Sequence, residues 1–166
     1  MRRFLCAFLV STLLFTMCSC GFSDSIKDKG TFYYRRTEFL YGKDGSVVDS
    51  ETKDITGHAN DLSYLVALYM LGPTEDTLVS PFPKNVKLLS AQIEDQAILI
   101  QFTSLDRYMS DSDFTLACAC LTLTCLGLTD ATEVTIASGD RSITMTQDML
   151  LLTDSIIPTE TIAEEE

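Results

Sequence analysis

Between residues 31 and 152 the chain switches between two periods of apolar residues. TFYYRRTEFLY, residues 31–41, is rich in β-branched and aromatic residues and is followed by the turn signal GKDG at residues 42–45. Asp44-Gly45 favours the left-handed geometry of a hairpin, so this strand should pair with a second that opens at Val47 and Val48 and runs toward Thr56. The second strand is polar enough to lie at an edge or to be partly a loop. In NDLSYLVALYML, residues 60–71, Leu62, Leu65, Val66, Tyr69 and Met70 keep the spacing of one helix face. Asn60 is a good N-cap, Gly72 suits the left-handed position that ends a helix, and Pro73 blocks continuation.

Two apolar runs follow at residues 86–93 and 97–102, around the turn Glu94-Asp95-Gln96. AILIQF alternates too little for a half-solvated strand and is expected to be central, buried on both faces or nearly so. SDFTLACACLTLTCLGL, residues 112–128, is apolar almost all round, which predicts a deeply buried helix with Ser110 or Ser112 as cap and Asp113 in its first turn. Its apolar part, residues 114–128, is shorter than the roughly 20 residues that span a bilayer. Val134 and Ile136, then Ile143 and Met145, alternate on either side of Ser138-Gly139-Asp140, a last hairpin. The order ββαββαββ predicts an α+β fold: a two-layer sandwich with both helices packed on one face of a mainly antiparallel sheet.

Three of the four prolines, Pro73, Pro81 and Pro83, fall in the connection YMLGPTEDTLVSPFP, residues 69–83. Pro81 and Pro83 fix φ and push Ser80 and Phe82 out of helical geometry. The segment reads as a stiff corner from helix to strand, with Phe82 plugging the gap between them, in preference to a catalytic loop. Rigid residues also lower the entropy cost of so long a connection.

The ends have a different character. Arg2 and Arg3 precede an uncharged run of fourteen residues, 4–17, the layout of a secretory signal. The run ends at Ser19-Cys20, which resembles the lipobox of bacterial lipoproteins. In such proteins the cysteine takes a diacylglyceryl group and becomes the new N-terminus. Cys20 is the candidate, with Cys18 as the alternative; Met17 stands where leucine is usual. Two acyl chains give stable membrane anchoring where one does not. The resemblance therefore implies a lipid-anchored (palmitate-bearing) protein on the extracytoplasmic face of the cell membrane. Loss of residues 1–19 removes Arg2 and Arg3 and moves the net charge from −12 to −14. A chain this acidic is repelled by nucleic acid, which is excluded as a partner. The expected organisation is a signal at 1–19, a small polar tether at 20–30, one domain at 31–152, and an acidic, mostly disordered tail at 153–166.

A search for chemistry finds little. Of six cysteines, Cys118, Cys120 and Cys125 lie in the domain. On a helix, Cys118 and Cys125 share a face about 10.5 Å apart along the axis, beyond disulfide reach, and Cys120 points nearly opposite. They read as small core hydrophobes rather than as reactive thiols or metal ligands. The sole histidine, His58, precedes the first helix and is given a loop or capping role. No nucleophile elbow, phosphate loop or dinucleotide fingerprint is present. Neither a catalytic residue, a metal nor a cofactor is assigned. Arg35 and Arg36 alternate across the first strand, where positive charge protects an edge or contacts a partner.

LSYLVALYMLGPTEDTLVSPFPKNVKLLSAQIEDQAILIQF, residues 62–102, resembles the GerMN domain, the sporulation and spore-germination domain of Gram-positive bacteria. The carried features are the helix ending in Gly72-Pro73, then Leu78, Ser80-Pro81-Phe82-Pro83, the run from Val86 to Ser90, and a strand pair ending in Phe102-Thr103-Ser104. The founding member carries two such domains in tandem, whereas this chain has room for one. The resemblance implies a non-enzymatic scaffold or interaction module in sporulation or germination complexes. Its partners would be envelope proteins, and homo- or hetero-oligomers would form through the sheet surface, where Thr, Ser and Val crowd residues 132–146. The alternative is a lipoprotein that binds cell-wall peptidoglycan or a small ligand, or assists an enzyme. That reading needs a cleft lined by carboxylates and by Tyr33, Tyr34 or Tyr41.

Overall fold

The computed structural model describes residues 28–38, 45–105 and 108–150. The signal, Cys18, Cys20, Tyr41, most of the tether and the tail lie outside these residues. Among the described residues, seven strands and two helices make an α+β fold: β1 (Lys29–Arg36), β2 (Val48–Asp54), α1 (Leu62–Met70), β3 (Leu78–Val79), β4 (Leu88–Glu94), β5 (Ala97–Phe102), α2 (Asp111–Leu128), β6 (Glu133–Ser138) and β7 (Arg141–Thr146), with a 3-10 turn at Gln147–Met149. Strand β1 starts at Lys29, two residues inside the segment expected as a tether.

The strands divide into two sheets instead of one. The first has the order β2-β1-β3 and the second β4-β5-β6-β7; every pair is antiparallel except β5 with β6. The first sheet is completed by β3, two residues inside the proline-rich connection, which pair with Arg35 and Arg36. The hairpin of β1 and β2 forms as expected, and Gly45 is left-handed at φ 65°.

Helix α1 is capped by Asp61, one residue beyond the expected Asn60. Its carboxylate accepts the Tyr64 amide at 3.0 Å, the short reach that favours Asp as an N-cap. Gly72, at φ 85°, ends the helix as expected. Helix α2 begins at Ser110, whose hydroxyl accepts the Asp113 amide. Its 18 residues are long and apolar enough to cross a membrane by length and composition only, as those of a core helix can be. Its apolar side chains are buried or half-buried against the core, because α2 packs along β1 of the first sheet and against β6 and β7 of the second. On a further side, Leu121, Cys125 and Leu128 meet Leu62, Leu65 and Val66 of α1. A helix with neighbours on three sides has no use for a polar face.

The helix also closes a strand edge. The amide of Tyr33 points away from β2, beyond the reach of short β3, and donates to the Thr124 hydroxyl at 2.9 Å. Gly30 lets β1 approach α2 closely: a Cβ there would stand 2.5 Å from Leu128 Cδ2.

AILIQF is not buried on both faces. Ile98, Ile100 and Phe102 point inward and are almost fully buried, while Leu99 is 42 % exposed and Gln101 is exposed. The strand is central, as expected, but among the described residues no layer covers its outer face. A leucine in an outward slot hid the alternation.

Candidate functional site

The proline-rich connection is built as a corner. Phe82 is 3 % exposed, edge-on to Tyr69 at 6.3 Å and tilted against Phe102 at 5.0 Å, so it joins α1 to the second sheet. Tyr69 in turn stacks on Tyr34 of β1 at 4.8 Å. At the far end of the motif, the Thr103 hydroxyl accepts the Lys87 amide at 3.0 Å. The Thr103 carbonyl accepts the Ser138 hydroxyl at 2.9 Å, which ties the exit of β5 to β6.

The other half of the corner rests on two charges. The Gly72 carbonyl accepts Lys53 Nζ at 2.5 Å, and Lys53 lies 3.2 Å from Glu51, its neighbour two residues back on β2. The ammonium also sits 5.6 and 5.2 Å from the ring centres of Phe32 and Tyr34, a cation–π geometry. Glu51, only 4 % exposed, accepts the Thr74 amide and hydroxyl, both at 2.9 Å, and the Glu75 amide at 3.1 Å. Burial pushes the Glu51 carboxyl up. The hydrogen bonds from Thr74, Lys53 and Glu75 outweigh it and hold the carboxyl below its ordinary value. No role is assigned to Glu51 and Lys53 from the sequence alone. Their register was the available signal: they face Phe32 and Gly30 across the hairpin, on the side of the buried aromatics.

The residues singled out for chemistry are scattered. His58 stacks on Tyr64 at 3.9 Å, and among the described residues no hydrogen bond joins its ring to a carboxylate or hydroxyl. Cys118, Cys120 and Cys125 are free and buried, and burial pushes each thiol up to about 12. A thiol so raised is a core hydrophobe at neutral pH. Among the described residues no group of three His, Cys, Asp or Glu could hold a metal. Tyr34 is fully buried, with its hydroxyl on the Tyr69 carbonyl, and lines no cleft.

Arg36 pairs with Asp49 at 2.9 Å, while Arg35 is exposed. Arg35 lines a hollow of about 230 Å³ with the Ser80-Pro81-Phe82-Pro83 turn, Tyr108, Met109, Asp113 and Leu116. At the opposite end a groove of about 960 Å³ runs between the start of α1, the β4–β5 turn and the end of α2. Its floor includes Leu62, Leu65 and Leu128, and its rim carries Asp61, Asp95 and Asp130.

Among the described residues, the outer face of the second sheet is exposed or half-exposed throughout. One row of cross-strand neighbours runs Gln92, Leu99, Thr135, Thr144, and the next runs Ser90, Gln101, Ala137, Ser142. The Thr135 and Thr144 hydroxyls are 2.8 Å apart. Neither row contains a charge, although the whole chain carries −12. Charges enter only in the third row, at Glu94 and Glu133.

Comparison with known proteins bears on what this arrangement is. A model of the Germane family, described as sporulation and spore germination, matches residues 31–144. Among solved structures, a candidate lipoprotein from Clostridium perfringens is similar at 16 % identity and a TM-score of 0.45, over 72 % of this chain and 87 % of that one. The tandem GerMN domains of the sporulation protein GerM from Bacillus subtilis are similar at 20 % identity and a TM-score of 0.51, over 68 % of this chain. This chain covers 39 % of that tandem. Comparison with curated proteins returns no match. The family match spans both helices, both sheets and the proline-rich corner, and the chain belongs to the Germane family, that of the GerMN sporulation and spore-germination domain.

Proposed function

We propose that this protein is a membrane-tethered, extracytoplasmic interaction module, non-enzymatic, that binds envelope proteins of sporulation or germination complexes. The observation that carries the reading is the uncharged outer face of the second sheet. On a chain of charge −12, two adjacent rows without a single charge are the surface that a partner can approach at the least desolvation cost. Leu99, half-exposed at the centre of one row, is the apolar anchor. The tether is the signal that ends at Cys20, or at Cys18, with its diacylglyceryl group.

Two experiments test the halves separately. Cys20→Ala should release the protein from the membrane pellet and abolish lipid labelling; retention with labelling intact moves the anchor to Cys18. Cross-linking and pull-down from growing and from sporulating cells should enrich sporulation or germination proteins only in the latter, and Leu99→Lys should abolish that enrichment. Capture unchanged by Leu99→Lys removes the sheet face from the reading.

The acidic groove favours a second reading, binding of a cell-wall fragment or small ligand. Recovery of glycan fragments alone, equally from growing cells, supports it over the first.

A further inference from the structure

The outermost strands of a sheet carry backbone groups that pair with any strand brought alongside, unless they are covered or blocked. The edges in this domain are treated unequally. On β2 the outward amides of Val48 and Ser50 are taken by the Ser46 hydroxyl at 3.1 Å and the Asp49 carboxylate at 2.8 Å. Asp49, Glu51, Lys53 and Asp54 also charge that strand. The far side of β1 is shared by β3 and Thr124. Strand β4 has α1 alongside, with the Ser63 hydroxyl 3.4 Å from the Ala91 carbonyl.

Among the described residues, strand β7 has fewer of these protections: it pairs with β6 alone, no side chain is bonded to its backbone from residue 142 to 146, and its one charge is Arg141 at its start. From Ser142 to Gln147 it carries no charge.

We propose that β7 is the edge through which two copies of this chain pair, antiparallel about a twofold axis, joining their second sheets into one. Such an interface is self-complementary. Antiparallel pairing of β7 with itself keeps Ser142, Thr144 and Thr146 on one face and Ile143 and Met145 on the other, so polar meets polar and apolar meets apolar. It sets the start of one strand, at Arg141, beside the end of the other, which leads to Asp148. Copies this acidic repel each other over most of their surface, and the uncharged edge is where that repulsion is weakest. The inference concerns the edge of the sheet rather than its face; Ser142 and Thr144 belong to both, so the test reads self-association and not capture of a partner.

The test is sedimentation equilibrium of the full chain, with detergent in excess over protein, across a wide range of concentration. The expected result is a monomer–dimer equilibrium. Thr144→Lys with Thr146→Lys, one side chain exposed and the other half-buried on the outer face, should weaken the dimer about tenfold or more by setting like charges across the axis. Circular dichroism confirms that the variant is folded. Thr135→Lys, one strand further in, should leave the dimer intact. A wild-type monomer at every concentration overturns the proposal, as does a dimer that survives the paired lysines. Equal loss in Thr135→Lys also overturns it, by moving the contact to the face.

Discussion

The Thr124 hydroxyl accepts the amide of Tyr33 at 2.9 Å and donates to the carbonyl of Cys120, also at 2.9 Å. A single side chain thus closes the open edge of β1 and fixes α2 beside it. Thr124 is 2 % exposed, so water cannot replace it. Thr124→Val keeps the shape and strands the Tyr33 amide; it should cost about 1–3 kcal/mol. Thr124→Ser should recover most of that loss. Denaturant midpoints of the two variants check the claim, and equal midpoints would reject it.

Close approach of the same two elements depends on Gly30. Gly30→Ala should destabilise by about 1–3 kcal/mol through overpacking against Leu128, Ile55 and Phe32. Leu128→Ala costs stability alone, yet in the double variant the two losses should add to less than their sum. Strict additivity in thermal melts would show that Leu128 is not the obstacle.

Phe82→Ala should lower stability by about 3–5 kcal/mol, since it empties a site between two aromatic neighbours. A denaturant midpoint unchanged from wild type would mean that the corner holds without its plug.

The Glu51 carboxyl gives a signature in pH. Its folded value lies below the ordinary 4.5, so the unfolded chain binds the proton more readily. The stabilisation is fully present above the ordinary value and is lost as pH falls through the lower folded one. Glu51→Gln should cost about 3–5 kcal/mol near neutrality by leaving the Lys53 ammonium without its counter-charge. The gap between wild type and variant should then narrow below about pH 4.5. Urea titrations at several pH values measure it; a constant gap would show that Glu51 is not the titrating group.

The sequence disclosed local features well and long-range choices poorly. The end of α1 was legible because Gly72-Pro73 is local backbone chemistry, and Phe82 because two prolines frame it. The third strand of the first sheet was not, since it needs Leu78 and Val79 to meet Arg35 and Arg36 across more than forty residues. Leu99 concealed the alternation of β5 by placing an apolar side chain in an outward slot. The Glu51–Lys53 pair was hidden for the opposite reason: charged residues on a polar strand are usually solvated, and only register shows that these two face the aromatics.

Strand β1 has a mechanical position as well as a thermodynamic one. It follows directly from residue 28, whose carbonyl holds the Ile55 amide at 2.9 Å, and it lies between β2 on one side and β3 with α2 on the other. A load drawn in through residue 28 along the strand axis cannot peel β1 away one bond at a time. It must shear the ladder to β2, the Thr124 bond and the β3 pairs together. The first strand is therefore the one along which tension entering at residue 28 would be shared among β2, β3 and α2.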